Sequence, residues 1–364
     1  MSRKHLALSL PAVLLLAGCG GGDGIGDSSA LEGLDVHMTE EGAPEVVVKD
    51  AIETEERSSL VLDAGDGAEV EGDHLIEFSQ ASVDPSSGSV QQENFSSGAP
   101  GMLYLPELKA GDEFSYKSLT ETGLKVGGEI ALYVPAEAQS GGQQQMMQQP
   151  TDQLSVLRVE DTFPDHASGE EVEQSGDLPA VESTEGEAPE LVEAPGEDAE
   201  VPESTQSEVL IQGDGEEIAD DQVMLARYTG WTWSDGEVFD SSWPGVSASS
   251  EEESEGGSEG ESPSASAAED SGEETPQRPY QFTWDTSITG WEEALTGKHV
   301  GDRVLMVVPA AEAYPEDSEH EMAGEDLIFV VDLVAAVPQE DLQQGQQGQQ
   351  GQQGQQGQQG QQGQ

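Results

Sequence analysis

Residues 288–314 read ITGWEEALTGKHVGDRVLMVVPAAEAY, and this stretch decides the fold. Thr289 and Glu292 have the S/T-x-x-E spacing of a capping box, which predicts that a helix begins at Thr289. Gly297 stands where a helix commonly ends in a left-handed residue. The apolar side chains between these limits fall on one helical face, and they are Trp291, Ala294 and Leu295.

An unbroken strand-type run from Arg303 to Val308 follows the helix, and Pro309 is expected to end it. A helix of two turns is not stable alone in water, so it must pack on a sheet. Trp291 is the largest side chain on the apolar face, and we expect it to be pressed into that sheet. The stretch therefore predicts a short helix that is held against strands.

A series of short motifs continues this pattern on both sides. They are GDG (213–215), ARYTG (226–230), DGEVFDSS (235–242), ITGWEEAL (288–295), VGDR (300–303), VVPAAEAY (307–314) and DLIFVVDL (326–333). In this order they resemble the core motifs of the FKBP-type peptidyl-prolyl cis-trans isomerases, over roughly residues 211–336. The resemblance implies an α+β fold in which a twisted antiparallel sheet wraps a short helix. It also implies catalysed rotation about X–Pro bonds without a metal or cofactor.

The resemblance further implies a set of site residues. The positions that match the family's catalytic pocket are Tyr228, Phe239, Asp240, Trp291, Tyr314 and Phe329. By analogy, Trp291 is the floor under the proline ring, and Tyr228, Phe239 and Phe329 are walls. The Tyr314 hydroxyl is expected to donate to the substrate carbonyl, and Asp240 is expected to orient the site.

Three further positions are expected to bind substrate, and they are Tyr280, Ile288 and Met322. Tyr280 stands where the family usually has Phe. Ser287 replaces the usual aliphatic residue before Ile288. The acidic flap 316–324 lacks the family's aliphatic pair, and Met322 is expected to substitute for it.

These residues also have a plainer interpretation, and it leaves several functions open. Phe239, Phe329 and Trp291 fit a hydrophobic core, whereas Tyr228, Asp240 and Tyr314 are harder to place there because buried polar tips need partners. The first hypothesis is an isomerase that assists the folding of exported proteins. The second is a non-catalytic FKBP-like chaperone or binding module at the cell surface. The third is an acidic surface scaffold.

Composition limits the partners. The chain has 364 residues, of which 75 are acidic and 12 basic, and its formal net charge is −63. That charge excludes nucleic acid as a natural partner, because phosphate contacts need Lys and Arg. The low hydrophobic content of 34% predicts two modest cores that are separated by disordered acidic stretches. The six histidines are scattered and Cys19 is the only cysteine, so no metal or cofactor site is expected.

The N-terminus has the pattern of a secretion signal. Arg3 and Lys4 precede an apolar run that is too short to span a membrane. The residues Leu-Ala-Gly-Cys ending at Cys19 resemble a bacterial lipobox, which predicts a signal peptide over 1–18 and lipidation of Cys19. The alternative is an ordinary signal cleaved nearby. A flexible tether is predicted over 19–30. Together these features predict a lipid-anchored, extracytoplasmic protein.

Two halves of the chain echo each other. The echoed segments are GAPEVV (42–47) with EAPELV (187–192), LDAGDGAEV (62–70) with IQGDGEEI (211–218), and LKVGGEIALYVPAEA (124–138) with KHVGDRVLMVVPAAEA (298–313). We predict two FKBP-like domains, a degenerate one over 31–163 and an isomerase domain over 207–338. An acidic linker is predicted over 164–206, a disordered insertion over 247–277, and a Gln/Gly low-complexity tail over 339–364.

The first copy is predicted to have lost the pocket. At the offsets of the echoed segments, Trp291 corresponds to Lys117, Tyr228 to Gln80 and Tyr314 to Ser140. All five tryptophans lie in the second copy. The expected protein is therefore a monomer that acts on proline-containing exported polypeptides through its second half, with the membrane contacted only through its lipid.

Overall fold

The structure is a computed structural model, and it describes residues 24–39, 42–138, 151–196, 199–219, 222–247 and 276–338. The predicted signal peptide, Cys19, the Gln/Gly tail and all but the ends of the predicted insertion lie outside these residues. Within them, no helix is both long enough and apolar enough to cross a bilayer.

The first half of the chain forms one sheet with two short helices. Its elements are β1 (Leu34–Met38), β2 (Pro44–Val48), β3 (Ser58–Asp63), β4 (Leu75–Val83), β5 (Val90–Glu93), β6 (Gly101–Tyr104), α1 (Leu105–Gly111), α2 (Glu113–Thr120), β7 (Glu129–Val134) and β8 (Gln153–Phe163). The strands of the first sheet run in the order β3-β7-β8-β4-β5, and β6 also pairs with β4. The hairpin β1-β2 stands outside that order.

The second half forms a second sheet with one short helix. Its elements are β9 (Glu170–Glu171), β10 (Val181–Glu182), β11 (Glu190–Leu191), β12 (Gln206–Gln212), β13 (Gln222–Thr232), β14 (Val238–Ser241), β15 (Tyr280–Phe282), α3 (Thr289–Leu295), β16 (Arg303–Val308) and β17 (Leu327–Pro338). The order of the second sheet is β14-β13-β17-β16-β12-β9, with β15 also on β13.

The two sheets repeat one strand order. In order, β12, β16, β17, β13 and β14 of the second sheet correspond to β3, β7, β8, β4 and β5 of the first sheet. The extra strand β15 corresponds to β6. Every pairing among these strands is antiparallel. The described part of the chain is thus mostly antiparallel sheet with few helices, as the α+β prediction required.

The stretch 288–314 folds as predicted in all but one respect. Helix α3 begins at Thr289, its apolar face lies against the second sheet, and Trp291 is only 5% exposed. Gly297 has a φ of +75°, so it does end the helix in the left-handed region. The predicted capping box is wrong, because Ile288 is the N-cap and makes no side-chain cap hydrogen bond. Instead, the N–H of Gly290 donates to the carbonyl of Glu312 at 3.0 Å.

Residues 164–206 do not form the expected linker. They contribute β9 to the edge of the second sheet and form the small hairpin β10-β11. Their apolar side chains cover the outer face of that sheet, opposite α3, where they meet Trp231 and Trp233. These side chains are Leu178, Val181, Leu191, Ala199 and Val201. They stand singly among acidic and proline residues, so the sequence shows no periodicity, yet they exclude water from a large apolar face.

The predicted flexible tether is also corrected where it is described. The N–H of Ile25 donates to Ser59 Oγ at 3.0 Å, and that of Asp27 donates to Ser58 Oγ at 3.1 Å. Leu31 follows directly and is fully buried in the first core. Residues 24–30 therefore dock on β3 rather than hang free of it.

A buried ion pair holds residues 164–206 against the second sheet. Arg303 and Asp332 form two parallel hydrogen bonds, of 2.6 Å from Nε to Oδ1 and 2.8 Å from Nη2 to Oδ2. Both side chains are almost completely buried. Arg303 also donates to the carbonyls of Thr184 and Glu187, and Asp332 accepts the N–H of Ala167. Each charge is thus satisfied from both the sheet and the covering segment.

Asp332→Asn should destabilise the second half strongly, because it leaves the Arg303 guanidinium buried without a counter-charge. We expect the free energy of unfolding to fall by about 3 kcal/mol or more. Denaturant unfolding followed by tryptophan emission measures it, since all five tryptophans lie in this half. Glu293→Gln is an exposed control that should change it by less than about 0.5 kcal/mol. Equal stability of the two variants would contradict this role of the ion pair.

Candidate active site

A cleft of about 330 Å³ opens on the inner face of the second sheet, beside α3. Eight of the nine predicted site residues line it, and they are Tyr228, Phe239, Asp240, Tyr280, Ile288, Trp291, Tyr314 and Phe329. The wall of the cleft is built by side chains from β13, β14, β15 and β17, from α3 and from two loops. The ninth predicted residue, Met322, does not line it.

Trp291 lies at the centre of the aromatic cluster. Its ring centroid is 5.4 Å from that of Tyr228, 5.5 Å from that of Phe329 and 6.4 Å from that of Tyr280. Phe282, which does not line the cleft, approaches it to 5.0 Å. All four contacts are edge-to-face, the arrangement that aromatic quadrupoles favour. The indole is therefore held in place from several sides and presents a fixed apolar surface to the cleft.

A glycine on β13 leaves room for the two phenylalanine rings that form another part of the cleft wall. The rings of Phe239 and Phe329 meet edge-to-face at 5.6 Å above Gly230 on β13. A methyl group on Gly230 would lie 2.6 Å from Phe239 Cζ and 2.9 Å from Phe329 Cε1, which is closer than such atoms can approach. Gly230 stands in the quoted motif ARYTG, but nothing in the sequence alone indicated that two rings lie over it.

Tyr228 and Asp240 form the polar centre of the cleft. The Tyr228 hydroxyl donates to Asp240 Oδ2 at 2.5 Å. Burial, and then the nearby Asp240 carboxylate, raise the pKa of Tyr228 above its ordinary value. The hydroxyl therefore stays protonated at any physiological pH. Ser242 joins the two strands here, because its Oγ accepts the N–H of Tyr228 at 2.9 Å.

Tyr314 presents a second hydroxyl to the cleft. Its ring stacks on the His320 imidazole, with centroids 3.6 Å apart and planes 3° from parallel. Burial raises the pKa of Tyr314, so this hydroxyl also stays protonated and can donate a hydrogen bond. Among the described residues, no group hydrogen-bonds with it. A donor held by stacking and without an internal acceptor is suited to a bound ligand's carbonyl.

The flap departs from the prediction. Met322 packs on the edge of the inner core but does not reach the cleft. His320 and Glu321 line the cleft instead, together with Thr286 and Ser287. The hydrogen bond from the Met322 N–H to His320 Nδ1, at 3.1 Å, belongs to the turn that brings the imidazole forward. Sequence reasoning looked for an aliphatic residue in this flap and so missed two polar ones.

The corresponding surface of the first sheet is differently built. Gln80 is exposed, and Lys117 forms a surface ion pair with Glu113. Ser140 lies outside the described residues. Helices α1 and α2 pack Leu105 and Leu119 into the inner face of the first sheet. In the first half, two helices thus cover the face of the sheet that corresponds to the cleft-bearing face of the second half, where there is one helix.

One group of potential metal ligands exists within the described residues. Oxygens of Glu71 and Asp73 and a ring nitrogen of His74 lie within 4.8 Å of one another. The two carboxylates are exposed, and His74 Nδ1 is 3.0 Å from Thr162 Oγ1. The group lies beside β4 in the first half, so it plays no part in the cleft.

Comparisons with known proteins connect part of the chain with a known family. A family model described as FKBP-type peptidyl-prolyl cis-trans isomerase matches residues 266–334. A probable FK506-binding protein of Corynebacterium glutamicum is 30% identical over 128 residues, which are 35% of this chain and 82% of the relative. An FK506-binding protein of Streptomyces anulatus is 30% identical over 127 residues, covering 34% and 79%.

Solved structures also overlap with the chain. The three FKBP domains of wheat FKBP73 cover 77% of this chain and 94% of their own, at 15% identity and a TM-score of 0.25. A TM-score of that size does not define a shared overall arrangement.

Gly230→Ala should displace the two phenylalanine rings and widen the cleft wall. We expect turnover of an X–Pro peptide to fall about tenfold, because small misplacements in a preorganised site are costly. The control is Gly111→Ala, where an added methyl group meets no atom within 4 Å. If both variants exchange the peptide at the wild-type rate, close packing over Gly230 is not needed for turnover.

Proposed function

Because this chain belongs to the FKBP-type peptidyl-prolyl cis-trans isomerases, we propose that its activity is located in the aromatic cleft of residues 207–338. The observation that carries the proposal is the convergence of eight motif-matched side chains on one hollow around Trp291. The proposed substrates are proline-containing segments of exported polypeptides. The first half, whose inner face is filled by α1 and α2, is proposed to be a non-catalytic copy of the same unit.

The proposed catalysis is non-covalent. Rotation about an X–Pro bond crosses a barrier of about 20 kcal/mol, because twisting removes amide resonance. Uncatalysed exchange takes roughly tens to hundreds of seconds. The twisted amide has a less polar carbonyl than the planar one, so a dry aromatic surface favours it over the ground state. Differential binding of that kind lowers the barrier without a nucleophile.

The aromatic and polar side chains of the cleft are proposed to have separate roles. The proline ring would rest on the Trp291 indole between Tyr228 and Phe329, whose rings approach that indole from two sides. The Tyr314 hydroxyl would donate to the substrate carbonyl. Asp240, which Tyr228 orients through a 2.5 Å hydrogen bond, would face the twisting amide. Donors that are positioned before the reaction need no reorganisation during it.

The test is the exchange rate of a short X–Pro peptide with the full chain, measured by magnetisation-transfer NMR. The wild type should accelerate exchange, and Tyr228→Phe should lose about tenfold because Asp240 is released. Peptide binding without acceleration would instead support the non-catalytic binding module.

The raised pKa of Tyr228 also predicts that its ionisation causes no loss of exchange rate up to about pH 10.

The proposed setting is the outer side of a bacterial membrane, with Cys19 as the lipid attachment point and the protein a monomer. The sequence Leu-Ala-Gly-Cys after a short apolar run supports the lipid attachment at Cys19. Cys19→Ala should abolish labelling by a radioactive fatty acid and release the protein from the membrane fraction. Labelling that survives this substitution would overturn the anchor.

A further inference from the structure

Arg227 is fully buried and immediately precedes Tyr228 on β13. Because side chains alternate along a strand, Tyr228 faces the cleft and Arg227 faces the opposite side of the sheet. There it is the cross-strand partner of Asp332, which pairs in turn with Arg303. The cleft mechanism does not use Arg227, so a buried cation one residue from the catalytic tyrosine requires its own explanation.

Arg227 joins the two strands that carry the polar centre of the cleft. Its Nη1 donates to the carbonyl of Ser242 at 2.5 Å. Ser242 exchanges two further bonds with Tyr228, since its Oγ accepts the Tyr228 N–H and its N–H donates to the Tyr228 carbonyl. Asp240 lies two residues before Ser242. The spacing of Tyr228 and Asp240 therefore depends on where the guanidinium holds the end of β14.

The other side of the guanidinium is held by Tyr104 of the first half and by Asp165 of the segment that covers the second sheet. Nη2 donates to Tyr104 Oη at 2.9 Å and to Asp165 Oδ2 at 2.7 Å, and Nε donates to the Asp165 carbonyl at 3.3 Å. Tyr104 closes the ring by donating to Asp165 Oδ2 at 2.9 Å. Tyr104 ends β6 of the first sheet, so one phenol contributed by the first half completes the shell of Arg227.

The surroundings make this contact a fixed one. Leu75 and Tyr104 of the first half pack with Val334 and Ala335 of the second in one buried cluster. Burial raises the pKa of Tyr104 to about 12, so it remains a donor. Burial alone would raise the pKa of Asp165, but hydrogen bonds from His166 and Arg227 hold it at about 2, so it remains an anion. The Tyr104 hydroxyl and the Asp165 carboxylate therefore keep their charge states around neutral pH.

We propose that Tyr104 is a positioning residue for the isomerase reaction and acts through Arg227 on the Tyr228–Asp240 pair. Helices α1 and α2 fill the matching face of the first half, but its β6 supplies a hydrogen bond to Arg227, the cation behind the cleft of the second half. This inference rests on the proposed catalytic role of Tyr228 and Asp240. It makes the first half a part of the catalytic apparatus and not only a spacer.

The test is Tyr104→Phe in the full chain, assayed by peptide exchange. Arg227 and Asp165 remain paired in this variant, so the fold is retained, which tryptophan emission checks. We expect kcat to fall about fivefold with KM unchanged, because one hydrogen bond to the positioning cation is lost. The matched control is Tyr133→Phe, a buried tyrosine of the first core that lies on β7 of the first sheet and makes no hydrogen bond with Arg227. It should leave kcat unchanged.

A second substitution separates positioning from simple destabilisation. In a Tyr228→Phe background, where the bond to Asp240 is absent, Tyr104→Phe should cause no further loss of kcat. An equal loss in both backgrounds, or a wild-type kcat for Tyr104→Phe alone, would overturn the inference. Failure of the proposed function gives a different result, because Tyr228→Phe itself would then exchange the peptide at the wild-type rate.

Discussion

The packing of the Trp291 indole against the inner face of the second sheet is the contact on which the rest of this half depends. A helix of seven residues, Thr289–Leu295, has no stability of its own, and the indole with Leu295 attaches it to β16 and β17. The same ring is the floor of the cleft and the centre of the edge-to-face cluster. Folding and the proposed catalysis therefore use one side chain, and any change that loosens the helix also deforms the site.

The outer face of the second sheet carries a row of buried charged side chains beside its apolar cluster. Arg227, Asp332 and Arg303 lie side by side across β13, β17 and β16, and all three are buried. Buried charges are rarely a source of stability, but removal of one partner is strongly unfavourable. In this very acidic chain, these three side chains form the buried site on which residues 165–187 dock. Through Arg227 it also connects the first half of the molecule to the strand that carries Tyr228.

Local pattern and motif order predicted much of the second half. The strand Arg303–Val308 and the helix end at Gly297 follow from side-chain type alone, and the ring of aromatic residues follows from motifs that a known family shares. The capping box at Thr289 was wrong because a tertiary contact, the Glu312 carbonyl, replaced the local one. Residues 164–206 were mistaken for a linker because isolated apolar residues become informative only beside the face that they cover. The roles of Gly230, His320 and Arg227 depend on neighbours that are distant in sequence.

The central claim is that a rigid apolar floor under the proline ring lowers the barrier to rotation. Trp291→Leu tests it most directly, because leucine keeps the helix face apolar while it removes the flat indole. The exchange rate of an X–Pro peptide should fall by at least about tenfold, while tryptophan emission from the four remaining indoles shows the half still folded. Exchange at the wild-type rate by that folded variant would contradict the account.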